Sequence, residues 1–198
     1  MEVLFVVCVL AALAFMLLPA IPRPKARSRI SCINNLKQAG ISLSVWAGDH
    51  DHKFPWELSR RNDGTAESIG TRATFRHFQV LSNELGTPRI LICPKDLEHR
   101  AATNFTTDLN NSHISYFLNF DAVMNNPNSV LAGDANLVLN DVPVRSGPLG
   151  WRPGEVLSWT DKRHIKAGNI LCADLSSQQI IRFTNSFSDP PAMRLGIP

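Results

Sequence analysis

The sequence predicts an α+β fold in which a long N-terminal helix packs on a small, mainly antiparallel C-terminal β-sheet. The helix prediction rests on an apolar run near the start of the chain, which is followed by a segment with helical periodicity. The sheet prediction rests on short apolar segments in the second half, separated by Asn, Asp, Gly and Pro. With 198 residues, of which 44% are hydrophobic, we expect one globular head.

The first half of the predicted helix, residues 1–22, is expected to span a membrane. From Val3 to Ile21 only Pro19 interrupts the apolar run, and a helix of that length covers roughly 28 Å, close to a bilayer core. Glu2 at its start and the absence of a small-x-small cleavage pattern favour an uncleaved helix over a signal peptide. A signal peptide and a buried helix remain as alternatives.

Residues 23–29 are predicted to form a basic, proline-containing connector. The net charge of +3 arises from 20 Lys+Arg and 17 Asp+Glu, and the connector alone contributes Arg23, Lys25, Arg27 and Arg29. The rest of the chain is therefore close to neutral, which argues against a nucleic-acid surface. Basic residues beside an apolar span are typical of contacts with lipid headgroups at the membrane interface. The positive-inside rule, taken alone, would place the head in the cytoplasm.

Residues 30–52 are predicted to form the amphipathic second half of the helix. At 100° per residue one side collects the apolar residues Cys32, Ile33, Leu36, Ala39, Gly40, Leu43, Trp46 and Ala47. Ile41 and Val45 fall on the opposite, polar side. Such a stripe needs an apolar partner, and a small sheet would provide one.

The head is predicted over residues 53–183, followed by an irregular tail over 184–198. A short helix is expected within 71–86. Strands are expected at 89–93, 114–118, 129–133, 136–139, 169–173 and 178–183. The last two form the clearest hairpin. We expect Leu175 to widen its turn to four residues, because a bulky side chain resists a positive φ.

The four cysteines are Cys8, Cys32, Cys93 and Cys172, and no CxxC pair occurs among them. Without that spacing a zinc site is not predicted. In an oxidising compartment one pair among the last three cysteines would be bridged and one thiol would be left over. Buried free thiols are the alternative that the sequence favours.

The N-terminal segment resembles that of type IV pilin-like proteins, in particular the pseudopilins of type II secretion. In that family a glutamate near the start of an apolar helix is followed seventeen residues later by a proline, as Glu2 is followed by Pro19 here. The stretch "ARSRISCINNLKQAGISLSVWAGDHDHKFP" is similar to one typical of a large pseudopilin-like group. "RHIKAGNILCADLSS" resembles the C-terminal signature of that group, with His164 ten residues before Asp174.

The resemblance implies a structural subunit that assembles with sister pilin-like subunits through residues 1–22, with Glu2 setting the register between neighbours. It also implies an inner-membrane protein with a single pass and a periplasmic head, in contact with inner-membrane lipid. A leader peptide is expected upstream of Met1, and a prepilin peptidase would process it. His164 and Asp174 are expected to be structural, with His164 holding the hairpin through a hydrogen bond for which the Asp174 carboxylate is the suggested partner.

Other chemistry is disfavoured by the sequence. No GxSxG elbow or Gly-rich phosphate loop is present, so we do not predict an enzyme. No cofactor is expected, although the family includes calcium-binding members and Asp134, Asp161 and Asp174 supply suitable oxygen ligands. The alternative function is a membrane-anchored periplasmic binding domain that does not polymerise.

Overall fold

The computed structural model describes residues 2–17, 24–183 and 192–198 of the chain. Its helices are α1 (Glu2–Leu17), α2 (Pro24–Gly48), α3 (Phe75–Gln79), α4 (Ser82–Leu85) and α5 (Asp161–His164). Its strands are β1 (Tyr116–Asn119), β2 (Val130–Asp134), β3 (Leu137–Leu139), β4 (Val142–Pro143), β5 (Gly147–Trp151), β6 (Leu157–Trp159), β7 (Gly168–Cys172), β8 (Ser177–Ile180) and β9 (Met193–Ile197). Five short 3₁₀ helices, at Pro55–Glu57, Arg60–Asn62, Ala66–Ser68, Pro88–Leu91 and Asn111–His113, complete the described part of the chain.

The strands form two antiparallel sheets. The larger has six strands in the order β5-β9-β1-β2-β7-β8, and the smaller has three in the order β4-β3-β6. At the centre of the larger sheet Tyr116 lies opposite Asp134, and β2 continues the ladder to β7. The α+β class and the antiparallel sheet therefore agree with the sequence prediction.

The central strands are buried on both faces. Every residue of β1, β2 and β7 is buried. Alternate side chains enter two different cores: Leu118 and Leu171 lie in the core beneath α2, whereas Phe117 and Ile170 lie in the core on the opposite face. Because successive side chains of a strand point to opposite faces, the six-stranded sheet is a middle layer between α2 and the smaller sheet.

Helix α2 packs on this sheet through the apolar stripe that its periodicity predicts. Cys32, Leu36, Leu43 and Trp46 are all buried. The helix approaches β7 closely at Gly40, where an added Cβ would lie 2.2 Å from Leu171 Cδ2. A glycine at this position therefore lets the helix reach the sheet.

The predicted long helix with a membrane-spanning first half is wrong. The apolar helix α1 has 16 residues, and the longer α2 contains Lys, Arg, Asn and Gln in its sequence. In the part of the chain that the structure describes, no helix is both long and apolar enough to cross a membrane. The predicted single-pass location in the inner membrane is overturned by the same finding.

Several boundaries differ from the prediction. Helix α2 already begins at Pro24, so that most of the predicted connector 23–29 is helical, and it ends at Gly48. The predicted strand 89–93 is largely the 3₁₀ helix Pro88–Leu91. Part of the tail expected to be irregular is β9, which lies inside the six-stranded sheet between β5 and β1. The predicted helix at 71–86 is two short helices, α3 and α4.

The hairpin between β7 and β8 forms as predicted, with four residues between its strands. Leu175 nevertheless adopts a φ of 65°, which the sequence argument expected it to avoid. Its side chain points toward α2, since its Cδ2 would lie 3.2 Å from a Cβ built on Gly40. Packing against the helix thus accompanies a backbone conformation that a bulky residue adopts at a cost.

Candidate functional site

The first candidate site is the surface of α1. Val3, Leu4 and Phe5 are 78%, 70% and 72% exposed, and Val6, Val7, Val9 and Leu13 are exposed as well. Successive residues of an α-helix are separated by 100°, so five consecutive exposed residues surround it. A helix that is apolar on all sides is normally buried in a larger structure. The surface of α1 is therefore a candidate interaction site.

The residues that the resemblance assigns to assembly fall in and beside α1. Glu2 is the first residue of the helix and is exposed. Pro19 and Arg23 lie outside the described residues. Lys25, Arg27 and Arg29 belong to the first turns of α2 rather than to a connector.

The second candidate is a buried polar centre formed by Cys32, Cys93, Asp134 and His164. Four elements meet there. Cys32 projects from α2, Cys93 follows the 3₁₀ helix Pro88–Leu91, Asp134 is the last residue of β2, and His164 is the last residue of α5. All four side chains are buried, with an exposed fraction of 3% or less. The buried polar centre therefore joins α2 to the six-stranded sheet.

A disulfide joins Cys32 to Cys93, while Cys172 remains a buried free thiol and Cys8 an exposed one. The preference for buried free thiols was thus wrong for Cys32 and Cys93. The bridge closes a loop of about sixty residues, a constraint that stabilises a fold by roughly 4 kcal/mol in the chain-entropy account. It ties α2 to the chain segment that enters the sheet.

His164 lies between the disulfide and Asp134. Its Nε2 is 3.4 Å from Cys93 Sγ and 3.5 Å from Asp134 Oδ2. The same Oδ2 accepts hydrogen bonds from the backbone N and from Nδ2 of Asn169, at 2.7 and 2.9 Å. The Asp174 carboxylate, which the sequence suggested as the partner of His164, instead accepts from Ser176 N in the exposed turn.

Asp134 is completely buried, and Oδ1 of its carboxyl has no hydrogen-bond partner among the described residues. Burial raises the pKa of Asp134 to about 6, although the hydrogen bonds from Asn169 and the charge of Arg163 act in the opposite direction. An unsatisfied buried carboxyl oxygen is costly to a fold and calls for a physical explanation.

A buried ion pair borders this centre. The Arg163 guanidinium contacts Asp96 Oδ2 and donates from one nitrogen to Ser115 O at 2.6 Å. Burial opposes the charge of Asp96, but the His99 hydrogen bond, the Arg163 charge and the Ser115 hydrogen bond hold the pKa of Asp96 well below its usual range. The lowered pKa keeps the Asp96 carboxyl ionised in the interior.

The three carboxylates considered for calcium do not come together. Asp134 is buried at the end of β2, Asp161 is exposed at the start of α5, and Asp174 lies in the exposed β7–β8 turn. In the described residues, the group of three or more metal-ligating side chains found within ligand distance consists of Cys32, Cys93 and His164. Sequence analysis missed this group because the two cysteines are 61 residues apart and carry no local spacing signal.

Complete burial limits what the polar centre can do. A substrate has no direct access to side chains whose exposed fractions are close to zero, so catalysis on an external substrate is not supported by this geometry. The arrangement suits a structural cross-link or an enclosed ion. No protein-family model, curated protein or solved structure matches this chain.

Proposed function

We propose that this protein is a pilin-like (pseudopilin) structural subunit of an assembly related to type II secretion or type IV pili. In this proposal α1 packs on α1 of sister subunits, and the head formed by α2 and the two sheets is presented outward. The observation that carries the proposal is the exposed apolar surface of α1.

The energetics favour burial of α1 between subunits. Covering a valine, leucine or phenylalanine side chain contributes about 1.5–3 kcal/mol, and five consecutive residues of α1 offer such side chains. The head has its own cores, and none of the residues of α1 whose side chains the structure describes, Glu2 to Val9 and Leu13, belongs to them. A second copy of the same apolar helix offers a surface of the same chemistry, and homo-oligomers form through such repeated contacts between identical chains.

The residues of the resemblance support the same function. Glu2 lies at the start of α1, where a carboxylate stabilises the positive end of a helix. In a bundle of such helices a buried carboxylate is costly unless a positive group meets it. We propose that Glu2 meets such a group on a neighbouring subunit and so sets the register between subunits.

The experiment measures self-association of the full chain by sedimentation across a range of protein concentrations. The test variant is Val6→Asp, which places a charge in the middle of the apolar surface of α1. We expect the parent to associate and Val6→Asp to weaken association at least tenfold, because a desolvated aspartate replaces a favourable apolar contact.

Ile41→Asp is the matched control, since Ile41 is also helical, apolar and about half exposed, but belongs to α2. It should associate like the parent. A parent chain that stays monomeric at every concentration, or a Val6→Asp chain that associates equally well, would overturn the proposal and favour a binding domain that does not polymerise.

A further inference from the structure

The buried polar centre contains a set of donor atoms that suits a metal ion. Sγ of Cys32, Sγ of Cys93 and Nε2 of His164 all lie within 4.8 Å of one another. In a tetrahedral zinc site, Zn–S distances of about 2.3 Å and Zn–N distances of about 2.0–2.1 Å place neighbouring ligand atoms roughly 3.5–3.8 Å apart. The 3.4 Å between Cys93 Sγ and His164 Nε2 is close to that separation.

Asp134 provides an independent indication. Its Oδ2 is 3.5 Å from His164 Nε2 and is held by Asn169, whereas its Oδ1 is buried without a hydrogen-bond partner among the described residues. A carboxylate oxygen is a common zinc ligand, and an enclosed cation would compensate the buried charge. The hydrogen bonds from Asn169 would orient the carboxylate from the second shell of such a site.

We propose that, once the Cys32–Cys93 disulfide is reduced, the two thiolates bind one Zn²⁺ together with His164 Nε2 and the carboxylate of Asp134. The site has the soft donors that select zinc over magnesium or calcium. It does not depend on the proposed assembly through α1, since none of its ligands lies on that helix.

The chemistry balances with a dithiol as reductant. One dithiol transfers two electrons and two protons to the disulfide, so that the dithiol becomes a cyclic disulfide and Cys32 and Cys93 become thiols. Binding of Zn²⁺ then displaces the two thiol protons to solvent. Rotation about the Cα–Cβ bonds of the cysteines separates the two sulfur atoms around the ion. The disulfide and the zinc site are thus two alternative cross-links between α2 and the segment after Pro88–Leu91.

The test uses the full chain, produced in a reducing cytosol in zinc-supplemented medium and purified without oxygen. Zinc per chain is measured by elemental analysis, and free thiols are titrated after the metal is removed. Replacement of zinc by Co²⁺ gives a second readout, because a thiolate-to-cobalt charge-transfer band reports sulfur ligands directly. We expect one zinc per chain and a cobalt spectrum of a tetrahedral site.

Substitution of each proposed ligand tests its contribution to zinc binding. Cys93→Ser should abolish stoichiometric zinc and the charge-transfer band, and His164→Ala should weaken zinc binding at least tenfold. Asp134→Asn should weaken binding and shift the cobalt bands while the thiolate band persists. Cys172→Ser is the matched control, because Cys172 is a buried cysteine of β7 outside the group, and it should bind zinc like the parent.

Folding of each variant is checked by circular dichroism, and a chain that is folded only with zinc would itself support the site. A reduced, folded parent with free thiols but no bound zinc would overturn the proposal. Zinc that is retained in both Cys93→Ser and His164→Ala would overturn it too, since the metal would then bind elsewhere.

Discussion

The two N-terminal helices, α1 and α2, use their apolar residues in opposite ways. Helix α1 has 16 residues, and its apolar side chains from Val3 to Val7 are exposed on every side. Helix α2 has 25 residues, and its apolar stripe is buried against the six-stranded sheet while its other side is polar. The difference shows that the periodicity of the apolar residues, rather than their number, determines which helix packs on the sheet of its own chain.

A consequence is that α2 contributes to the stability of the head and α1 does not. Each buried residue of the stripe replaces water contacts by protein contacts, whereas the apolar side chains of α1 from Val3 to Val7 are exposed to solvent. The two helices are therefore expected to respond differently to substitution.

The largest effect is expected from Leu43→Ala in α2. Leu43 is completely buried in the core that α2 shares with the sheet. The substitution removes apolar burial and leaves a cavity, which together cost about 2–5 kcal/mol of unfolding free energy. Urea unfolding, followed by circular dichroism with the disulfide intact, measures the loss.

The control for this prediction lies on the same helix. Ile41 is 48% exposed on the polar side, so Ile41→Ala should change the unfolding free energy by less than about 1 kcal/mol. Equal losses of unfolding free energy in Leu43→Ala and Ile41→Ala would mean that the apolar stripe of α2 does not stabilise its packing on the sheet.

The sequence predicted α2 and its partner sheet well because both carry strong periodic signals. The positions expected to face the core, including Leu36, Leu43 and Trp46, are buried except for the partly buried Ile33, and Ile41 and Val45 are exposed as expected. The segments that became β1, β2, β3, β7 and β8 were also found. Each is a short apolar run that ends at turn residues, which is a local property of the chain.

Two of the errors have a common physical cause, since both depend on contacts distant in the sequence. The segment 89–93 is as apolar as a strand, but Pro88 starts a 3₁₀ helix there and Cys93 is bridged to α2. Strand β9 contains a glycine and follows prolines, and it is a strand because β1 and β5 pair with both of its edges. The membrane-spanning helix was predicted from apolar length alone.

The candidate site was predicted only in part for the same reason. His164 was found through its position in a motif, but its neighbours Cys93 and Asp134 are 71 and 30 residues away in the sequence. No local sequence pattern predicts that these three side chains lie together. Topology alone brings the ends of β2 and α5 to the cysteines of α2 and of the segment after Pro88–Leu91.

An intermediate change in unfolding free energy is expected when the pH is lowered. It arises from His77, which lies in the core that α2 covers. His77 is completely buried, its Nδ1 is 2.6 Å from Thr65 Oγ1, and its ring contacts Trp56 and Phe120. Burial lowers the pKa of His77 to about 4. Below the unfolded pKa of about 6.5 the unfolded chain binds the additional proton, so this residue lowers the unfolding free energy as the pH falls.

The expected contribution of His77 is a loss of about 3 kcal/mol between pH 7 and pH 4, from 1.36 kcal/mol per pKa unit. Burial raises the pKa of Asp134, which acts in the opposite sense over the same range, so the total dependence is not diagnostic. The measurement is therefore the difference between the parent and His77→Gln at each pH. A difference that stays constant from pH 7 to pH 4 would contradict the assignment.

The smallest change in unfolding free energy is expected from a substitution in α1. Val6→Asp should leave the unfolding free energy of the dissociated chain within about 0.5 kcal/mol of the parent, because Val6 is exposed and contributes to neither core. Urea unfolding at a protein concentration below that of self-association measures this value. The concentration matters, since association of the folded parent would add to its apparent stability.

The stability measurement and the association measurement together decide what α1 does. If Val6→Asp leaves the unfolding free energy unchanged but prevents association, the apolar surface of α1 contacts other chains. A loss of 2 kcal/mol or more in the dissociated chain would instead mean that α1 is part of the head, in the way that α2 is. The apolar residues of α1 would then need no partner subunit, and the comparison between the two helices would fail.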